Sequence, residues 1–246
     1  MKAEKLCHLL EWDTGFFGFR IARLTPSRMT GRDMQRALTW CEGHAIDCLY
    51  YLADSDHEES TRLAERNGFH LIDIRLTLER RLARAQEKKI KGLPEVRIRA
   101  FQESDLRHLK TIAREVYSDT RFFRDPHFPR GLAEGLYVTW IEKSCRGGAD
   151  AVLVLERHQK PIGYITCHRL QEHMGQIGLV GLHAKARGEG GGRQLVDSAL
   201  RQFQQWGMKR VEVVTQGRNL NAQRLYQSCG FMTKNLQLWY HKWFRI

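Results

Sequence analysis

The stretch that decides the fold is Val180-Gly181-Leu182-His183-Ala184-Lys185-Ala186-Arg187-Gly188-Glu189-Gly190-Gly191-Gly192-Arg193. An apolar strand runs into a glycine-rich turn, and the turn opens onto Leu195, Val196, Ala199, Leu200 and Phe203 at helical spacing. Glycine lets the backbone come close to a bound group. The first N–H groups of a helix point outward with the positive end of its dipole. The stretch is therefore either a plain strand-to-helix turn or a cradle for a pyrophosphate. No Gly-Lys-Ser/Thr closes it, so it is not a P-loop. It follows a hairpin late in the chain rather than a first strand, so it is not the Gly-x-Gly-x-x-Gly of a dinucleotide fold either.

Working outward, Val211–Thr215 reads as a strand, Asn219–Ser228 as a helix closed by Cys229-Gly230-Phe231, and a last strand runs through Leu236, Leu238 and Tyr240. Upstream, Ala151–Glu156 and Ile162–Leu170 form a hairpin about His158–Pro161, and Gln176–Ala184 is the strand that enters the turn. A helix with Leu106, Leu109, Ile112, Ala113 and Val116 begins at Ser104-Asp105. An aromatic and basic loop follows from Tyr117 to Arg130, then a helix through Trp140 and Ile141. The first third alternates likewise: a short strand at Phe19–Leu24, a helix through Met34 and Cys41, a strand over Ile46–Ala53, a helix capped by Ser55 or Asp56 and stopped at Asn67-Gly68, and a strand from Phe69 to Leu78. Leu63-x4-Gly68-Phe69 repeats as Leu225-x4-Gly230-Phe231, each copy in the order strand, helix, Gly-Phe, strand. The chain is thus expected to hold a reduced N-terminal α/β domain over 1–80, a charged linker over 81–94 and a larger domain over 95–246.

A chain of 246 residues is long enough for one large domain or two small ones. Its 42% hydrophobic and 28% charged residues are a globular composition. No apolar run approaches the roughly 18 residues of a membrane helix, and the start lacks a signal-peptide pattern. A soluble cytoplasmic protein is expected, with no membrane partner. The 6 cysteines include no Cys-x-x-Cys pair, so reduced, packed thiols and no metal are expected. The net charge of +12 is uneven: residues 1–92 carry 16 basic and 14 acidic groups, so +2, and the remaining +10 lies beyond them. Such a field concentrates anions. A nucleic-acid module using this basic half is one reading. Its Lys and Arg residues are scattered singly rather than in blocks, which favours a small phosphate-bearing ligand and no nucleic acid.

Arg187-x-x-Gly190-x-Gly192 opening a helix, then a strand, then Asn219-x-x-Ala222-x-x-Leu225-Tyr226-x-x-x-Gly230-Phe231, resembles the GCN5-related N-acetyltransferase (GNAT) superfamily over about 95–246. The resemblance implies the GNAT acyltransferase fold, an α/β fold with a mixed sheet, and acetyl-CoA as donor. It places the coenzyme's pyrophosphate on the amides of Arg187, Gly188, Glu189, Gly190, Gly191, Gly192 and Arg193. Its pantetheine would lie along the strand at Gly181 and Leu182 where that strand splays from the next. Asn219 would contact the cofactor and Tyr226 would be the general acid. Ala184 stands where many members have proline. A phenol of pKa about 10 holds its proton at neutral pH and can deliver it to a leaving thiolate, and a backbone N–H near Leu182 could meet the developing oxyanion. For the general base, His168, His183 and a water chain stay open.

Glu11-Trp12-Asp13-x-x-Phe16-Phe17-Gly18, Ser118-x-x-Arg121-Phe122 and Tyr137-x-x-Trp140-Ile141-Glu142 are similar to the dTDP-fucosamine acetyltransferase group, which acetylates the amine of a nucleotide-linked 4-amino-4,6-dideoxyhexose. This implies a nucleotide sugar as the small-molecule partner, touched by Phe17, Arg121, Phe122, Tyr137 and Trp140, and a role in polysaccharide biosynthesis. Arg121, Arg124 and Arg130 are expected to meet its diphosphate. The alternatives are acetylation of a protein N-terminus, a lysine or a small amine, or a catalytically dead CoA binder. Oligomeric state, including a homodimer, is left open.

Overall fold

The computed structural model describes residues 6–82, 95–117 and 120–244; the linker expected at 81–94 falls outside them from residue 83 on, as does Ser118. The first part holds β1 (Cys7–Leu9), α1 (Glu11–Phe17), β2 (Ile21–Leu24), α2 (Gly31–Gly43), β3 (Cys48–Asp54), α3 (Glu58–Arg66) and β4 (His70–Arg81). The second holds β5 (Val96–Ala100), α4 (Leu106–Val116), α5 (Arg121–Arg124), α6 (Arg130–Lys143), β6 (Ala151–Arg157), β7 (Lys160–Gln171), β8 (Met174–Leu182), α7 (Gly191–Gln205), β9 (Arg210–Gln216), α8 (Leu220–Ser228) and β10 (Met232–Trp243).

The structure adds one element and corrects two local expectations. Glu11–Phe17 is a helix, ended by Gly18 at φ 81°, where a sequence reading finds no helical period in so short a segment. The cap of α3 is His57, not Ser55 or Asp56: its Nδ1 accepts from the Ser60 N–H at 3.3 Å. Within the 117–130 loop, Arg121–Arg124 forms a short helix.

Both parts contribute to one sheet, in the order β1-β2-β3-β10-β4-β9-β8-β7-β6-β5. Its centre is an exchange. The strand closing the first part, β4, pairs with β9, and the strand closing the chain, β10, pairs with β3; β4 and β10 pair with each other. The arrangement is symmetric under the Leu-x4-Gly-Phe repeat. Its offset is 162 residues (230 − 68), and that offset carries the pair Gln237↔Asp54 onto Arg75↔Gln216 and Met232↔Glu79 onto His70↔His241. The two Gly-Phe turns also match. The N–H of Phe69 donates to the Ala64 carbonyl and that of Phe231 to the Tyr226 carbonyl, both at 3.0 Å, after glycines at φ 73° and 81°. Positive φ is why glycine stands at both helix ends.

Strand alternation sorts the side chains to two faces. On one face α2 and α3 cover Leu49, Tyr51 and Tyr240, and α7 and α8 cover Leu78, Ile165, Ile177 and Val213. On the other, α1, α5 and α6 enclose an aromatic core around Phe17, Tyr50, Phe122 and Phe128, and α4 and α6 cover Val152, Val154 and Tyr164.

Candidate active site

The parallel pairing of β8 with β9 runs from Met174↔Arg210 to Ile177↔Val213 and stops there, while β8 continues along β7 to Leu182. A β-bulge marks the departure. Ile177 faces Cys167 and Val180 faces Ile165, so Gly178 and Leu179 together oppose Thr166. The Thr166 Oγ1 accepts the Leu179 N–H at 2.8 Å, replacing the lost ladder bond. Bulges bend a strand and increase its twist, and here the bend swings the end of β8 away from β9. Antiparallel alternation then sets which groups face the gap. The His183 N–H donates to the Ile162 carbonyl at 2.8 Å, so the N–H groups of Leu182 and Val180 turn away from β7, toward the uncovered edge.

At the head of this wedge lies the glycine-rich turn. Gly188 and Gly190 have φ 81° and 88°, conformations that other residues rarely adopt. Gly190 caps α7 without any side-chain hydrogen bond, so the first amides of a fifteen-residue helix are left for an external acceptor. Gly191 and Gly192 pack closely, since a Cβ would come within 2.9 Å of Leu155 Cδ2 and 3.2 Å of Leu225 Cδ2 respectively. Arg187 reaches back to the Leu182 carbonyl at 3.4 Å, Arg193 donates to the Ser228 carbonyl at 3.2 Å, and Glu189 pairs with Arg157. Residues 187–190 are exposed. Asn219 caps α8, its Oδ1 accepting from the Ala222 N–H at 3.1 Å.

Tyr226 lies on α8 in the wall of the wedge, 5% exposed, with its ring edge-on to Phe231 at 5.9 Å. Burial raises its pKa, and Cys229 adds to the shift, so the phenol keeps its proton through neutral and moderately alkaline pH. Its charge would be felt by Tyr117 across the wedge, a residue that sequence reasoning did not single out. Tyr117 ends α4 and donates its hydroxyl to the Val180 carbonyl at 2.8 Å. Its ring stacks on Tyr137 at 4.1 Å. Tyr164 lies beside it, buried, its hydroxyl without a hydrogen-bond partner among the described residues. Gly181 is glycine because a Cβ there would come within 2.6 Å of the Tyr164 ring. No short motif could have found Tyr117 and Tyr164; they meet only through the packing of α4 on β7 and β8.

The two histidines separate. His168 is half-buried, which lowers its pKa, and its Nε2 lies 3.2 Å from Thr166 Oγ1, so it braces the bulge from behind. His183 follows β8; its Nδ1 accepts from the Lys185 N–H at 3.3 Å and its Nε2 lies 3.7 Å from a Glu115 carboxylate oxygen.

The expected acceptor residues divide as well. Phe17 and Phe122, expected to touch substrate, are 4% and 3% exposed and stack on each other at 5.3 Å in the floor of the aromatic core. Tyr137 and Trp140 are half-buried and edge-on at 5.0 Å. Of the three arginines expected at a diphosphate, Arg121 turns inward and donates to His241 Nε2 at 3.0 Å, while Arg124 is exposed and the Arg130 side chain is 85% exposed. His241 is in turn held by Asp125, with Nδ1 at 2.6 Å from Oδ2. The ionised Asp125 carboxylate can only accept and Arg121 can only donate. His241 is therefore neutral with its proton on Nδ1.

Residues 111–231 match the acetyltransferase (GNAT) family. Among curated proteins the chain is similar to the spore coat polysaccharide biosynthesis protein SpsD of Bacillus subtilis (26% identity over 145 residues, 58% of this chain and 49% of that protein). It is also similar to the dTDP-fucosamine acetyltransferase of Escherichia coli O6:H1 (28% over 143 residues, 57% and 61%). The match thus spans about half the length of these relatives. Among solved structures, a GCN5-related N-acetyltransferase from Sphaerobacter thermophilus superposes with a TM-score of 0.69 at 16% identity, covering 98% of this chain and 76% of that one. A tandem GNAT protein from the clavulanic acid biosynthesis pathway superposes with a TM-score of 0.62 at 13% identity, covering 91% and 75%. At these identities the structural likeness establishes the fold.

Proposed function

From the match of residues 111–231 to the acetyltransferase (GNAT) family, we propose that the protein is an N-acetyltransferase that moves an acetyl group from acetyl-CoA to the amine of a nucleotide-activated amino sugar. The observation that carries the donor half is the wedge: β8 leaves β9 after Ile177 and offers unpaired N–H groups beside the uncapped start of α7. An extended amide-bearing arm suits such an edge as an added strand would, and a pyrophosphate suits the helix start. Acetyl-CoA, when bound, supplies an activated acyl thioester. Arg187 and the amides of residues 188–193 hold its phosphates, with Asn219 at the rim. The Leu182 N–H, turned toward the open edge, would be the donor that stabilises negative charge developing on an acyl oxygen bound there. Tyr226 gives its proton to the departing sulfur. His168 acts on the strand by bracing its bulge, and the amine's proton leaves through His183 or through water.

The acceptor half draws on two similarities and one local feature. Both curated relatives are named for polysaccharide or nucleotide-sugar chemistry. The aromatic pair Tyr137 and Trp140 borders the wedge through Tyr117. The test is calorimetry with CoA, followed by mass spectrometry of a dTDP-4-amino-4,6-dideoxyhexose incubated with acetyl-CoA and enzyme. CoA binding and a single acetyl addition are expected. Tyr226→Phe should lower kcat about 100-fold with CoA affinity unchanged. Failure to bind CoA overturns the reading, and acetylation of a lysine peptide or polyamine instead of the sugar overturns its acceptor half.

A further inference from the structure

Three arginines from distant points of the chain meet on the sheet face that carries α1 and α4–α6. Arg23 lies on β2, Arg75 on β4 and Arg121 opens α5. The registers set Arg23 beside Tyr50, Tyr50 beside His241, Trp239 beside Asp73 and Gln237 beside Arg75, so Arg23, Tyr50, Trp239 and Arg75 share one face. The guanidinium carbon of Arg23 is 5.2 Å from the centre of the Trp239 ring. That of Arg121 is 4.3 Å from the centres of the Trp239, Tyr50 and Phe122 rings. Burial first, and then the neighbouring arginine charges, hold Arg23 below the ordinary guanidinium value. Burial and Arg121 do the same to Arg75, against the pull of Glu212.

These cations lack what other half-buried or partly covered arginines here possess. Arg99 is clamped by Asp105 and Glu156, and Arg169 by Asp150. Among the described residues no carboxylate forms an ion pair with Arg23, Arg75 or Arg121; Asp13 and Glu212 influence them from farther off. Beneath Arg121 the Tyr50 hydroxyl is fully buried and has no hydrogen-bond partner among the described residues. Arg121 itself is aimed by the Asp125–His241 relay. Like charges gathered at partial burial, with their counter-charges at a distance rather than in ion-pair contact, are costly unless an anion completes them.

We infer that Arg23, Arg75 and Arg121, gathered around Trp239, form the subsite for the diphosphate of the acceptor. Planar guanidinium forks match phosphate oxygens in pairs, which gives geometry as well as charge. The subsite is separate from the coenzyme's cradle at the start of α7. A ring stack joins it to the wedge: Arg121 influences Tyr137, Tyr137 stacks on Tyr117, and Tyr117 bonds to β8. An acceptor anchored there by its diphosphate would extend its sugar over that stack toward Tyr226. The first part of the chain thus supplies two of the three cations, although it lacks the glycine-rich turn and carries Ala64 where the second part has Tyr226. This assignment rests on the acetyl-transfer reading for the identity of the ligand.

The probe is dTDP, titrated calorimetrically into the full chain with and without saturating CoA, which occupies the α7 cradle. Binding of dTDP in both conditions is expected, with inorganic pyrophosphate competing. Arg23→Gln and Arg75→Gln should each weaken dTDP at least tenfold while leaving the CoA Kd unchanged, which also reports that the variants are folded. Arg75→Lys should recover part of the loss, because it restores charge without the fork. Unchanged dTDP affinity in both glutamine variants, or dTDP binding abolished by CoA, overturns the subsite. Should CoA fail to bind while dTDP binds through Arg23 and Arg75, the anion subsite stands and the acetyl-transfer reading falls.

Discussion

His241 shows how one residue is set by its surroundings. It sits fully buried between Asp125 and Arg121, and its pKa is pushed down to about 4, by burial first and by the Arg121 charge, against the hydrogen bond to Asp125. Burial alone would raise Asp125, but hydrogen bonds from His241, Trp243 and His127 outweigh it and hold the carboxyl below its usual range. In the unfolded chain the histidine takes up its proton near its ordinary 6.5. Its contribution to stability is therefore complete above about pH 6.5 and is lost as pH falls toward 4, below which Asp125 takes over. Thermal melts of the wild type should fall across that window, and His241→Gln should flatten the fall by up to about 3 kcal/mol. Equal slopes would show that the histidine is not held neutral. Residues of this kind differ in how far they can be read from sequence. Tyr226 and Asn219 stand in a spaced motif on one helix. Tyr117, Tyr164, Arg23 and Arg75 stand in none, because each comes to the site on a different element.

Among the elements, the bulge in β8 decides most. A sequence reading finds the strand, the glycine turn and the helix, and it expects a splay only through the family resemblance. What it lacks is the device: Gly178 and Leu179 set against Thr166, with the threonine hydroxyl taking the orphaned N–H. Gly181 has a similar role on the open side, because the Tyr164 ring lies directly over its Cα. A ring is rigid where a leucine tip yields, so Gly181→Ala should cost about 1–3 kcal/mol in urea denaturation. Gly191→Ala, which meets only Leu side-chain tips, should cost less. The reverse order would mean that Tyr164 moves freely. The short helices α1 and α5 escape sequence reading because a few residues do not complete a helical period.

At the scale of the whole molecule, the exchange of β4 and β10 joins the two parts. Each strand lies between partners from the other repeat and from its own exchange mate. We propose that 1–80 and 95–246 are two related units despite the shared sheet. Expressed alone, 95–246 would expose β10 along both edges, one of them formed by Leu236, Leu238 and Tyr240. That fragment should aggregate or elute as an oligomer in size-exclusion chromatography, whereas the full chain should melt in one transition. A monomeric, folded fragment would show that the exchange is not needed for stability. By itself the sequence determined the alternation of elements, the glycine turn before α7, the Tyr226 motif and the repeated Leu-x4-Gly-Phe, since each is written in the spacing of neighbouring residues. Only the tertiary structure decided which strand lies beside which, and with it the arginine cluster about Trp239 and the tyrosines across the wedge. Pairing between strands more than 150 residues apart, as Asp54 and Gln237 show, depends on the burial of both faces at once, and no local pattern encodes it.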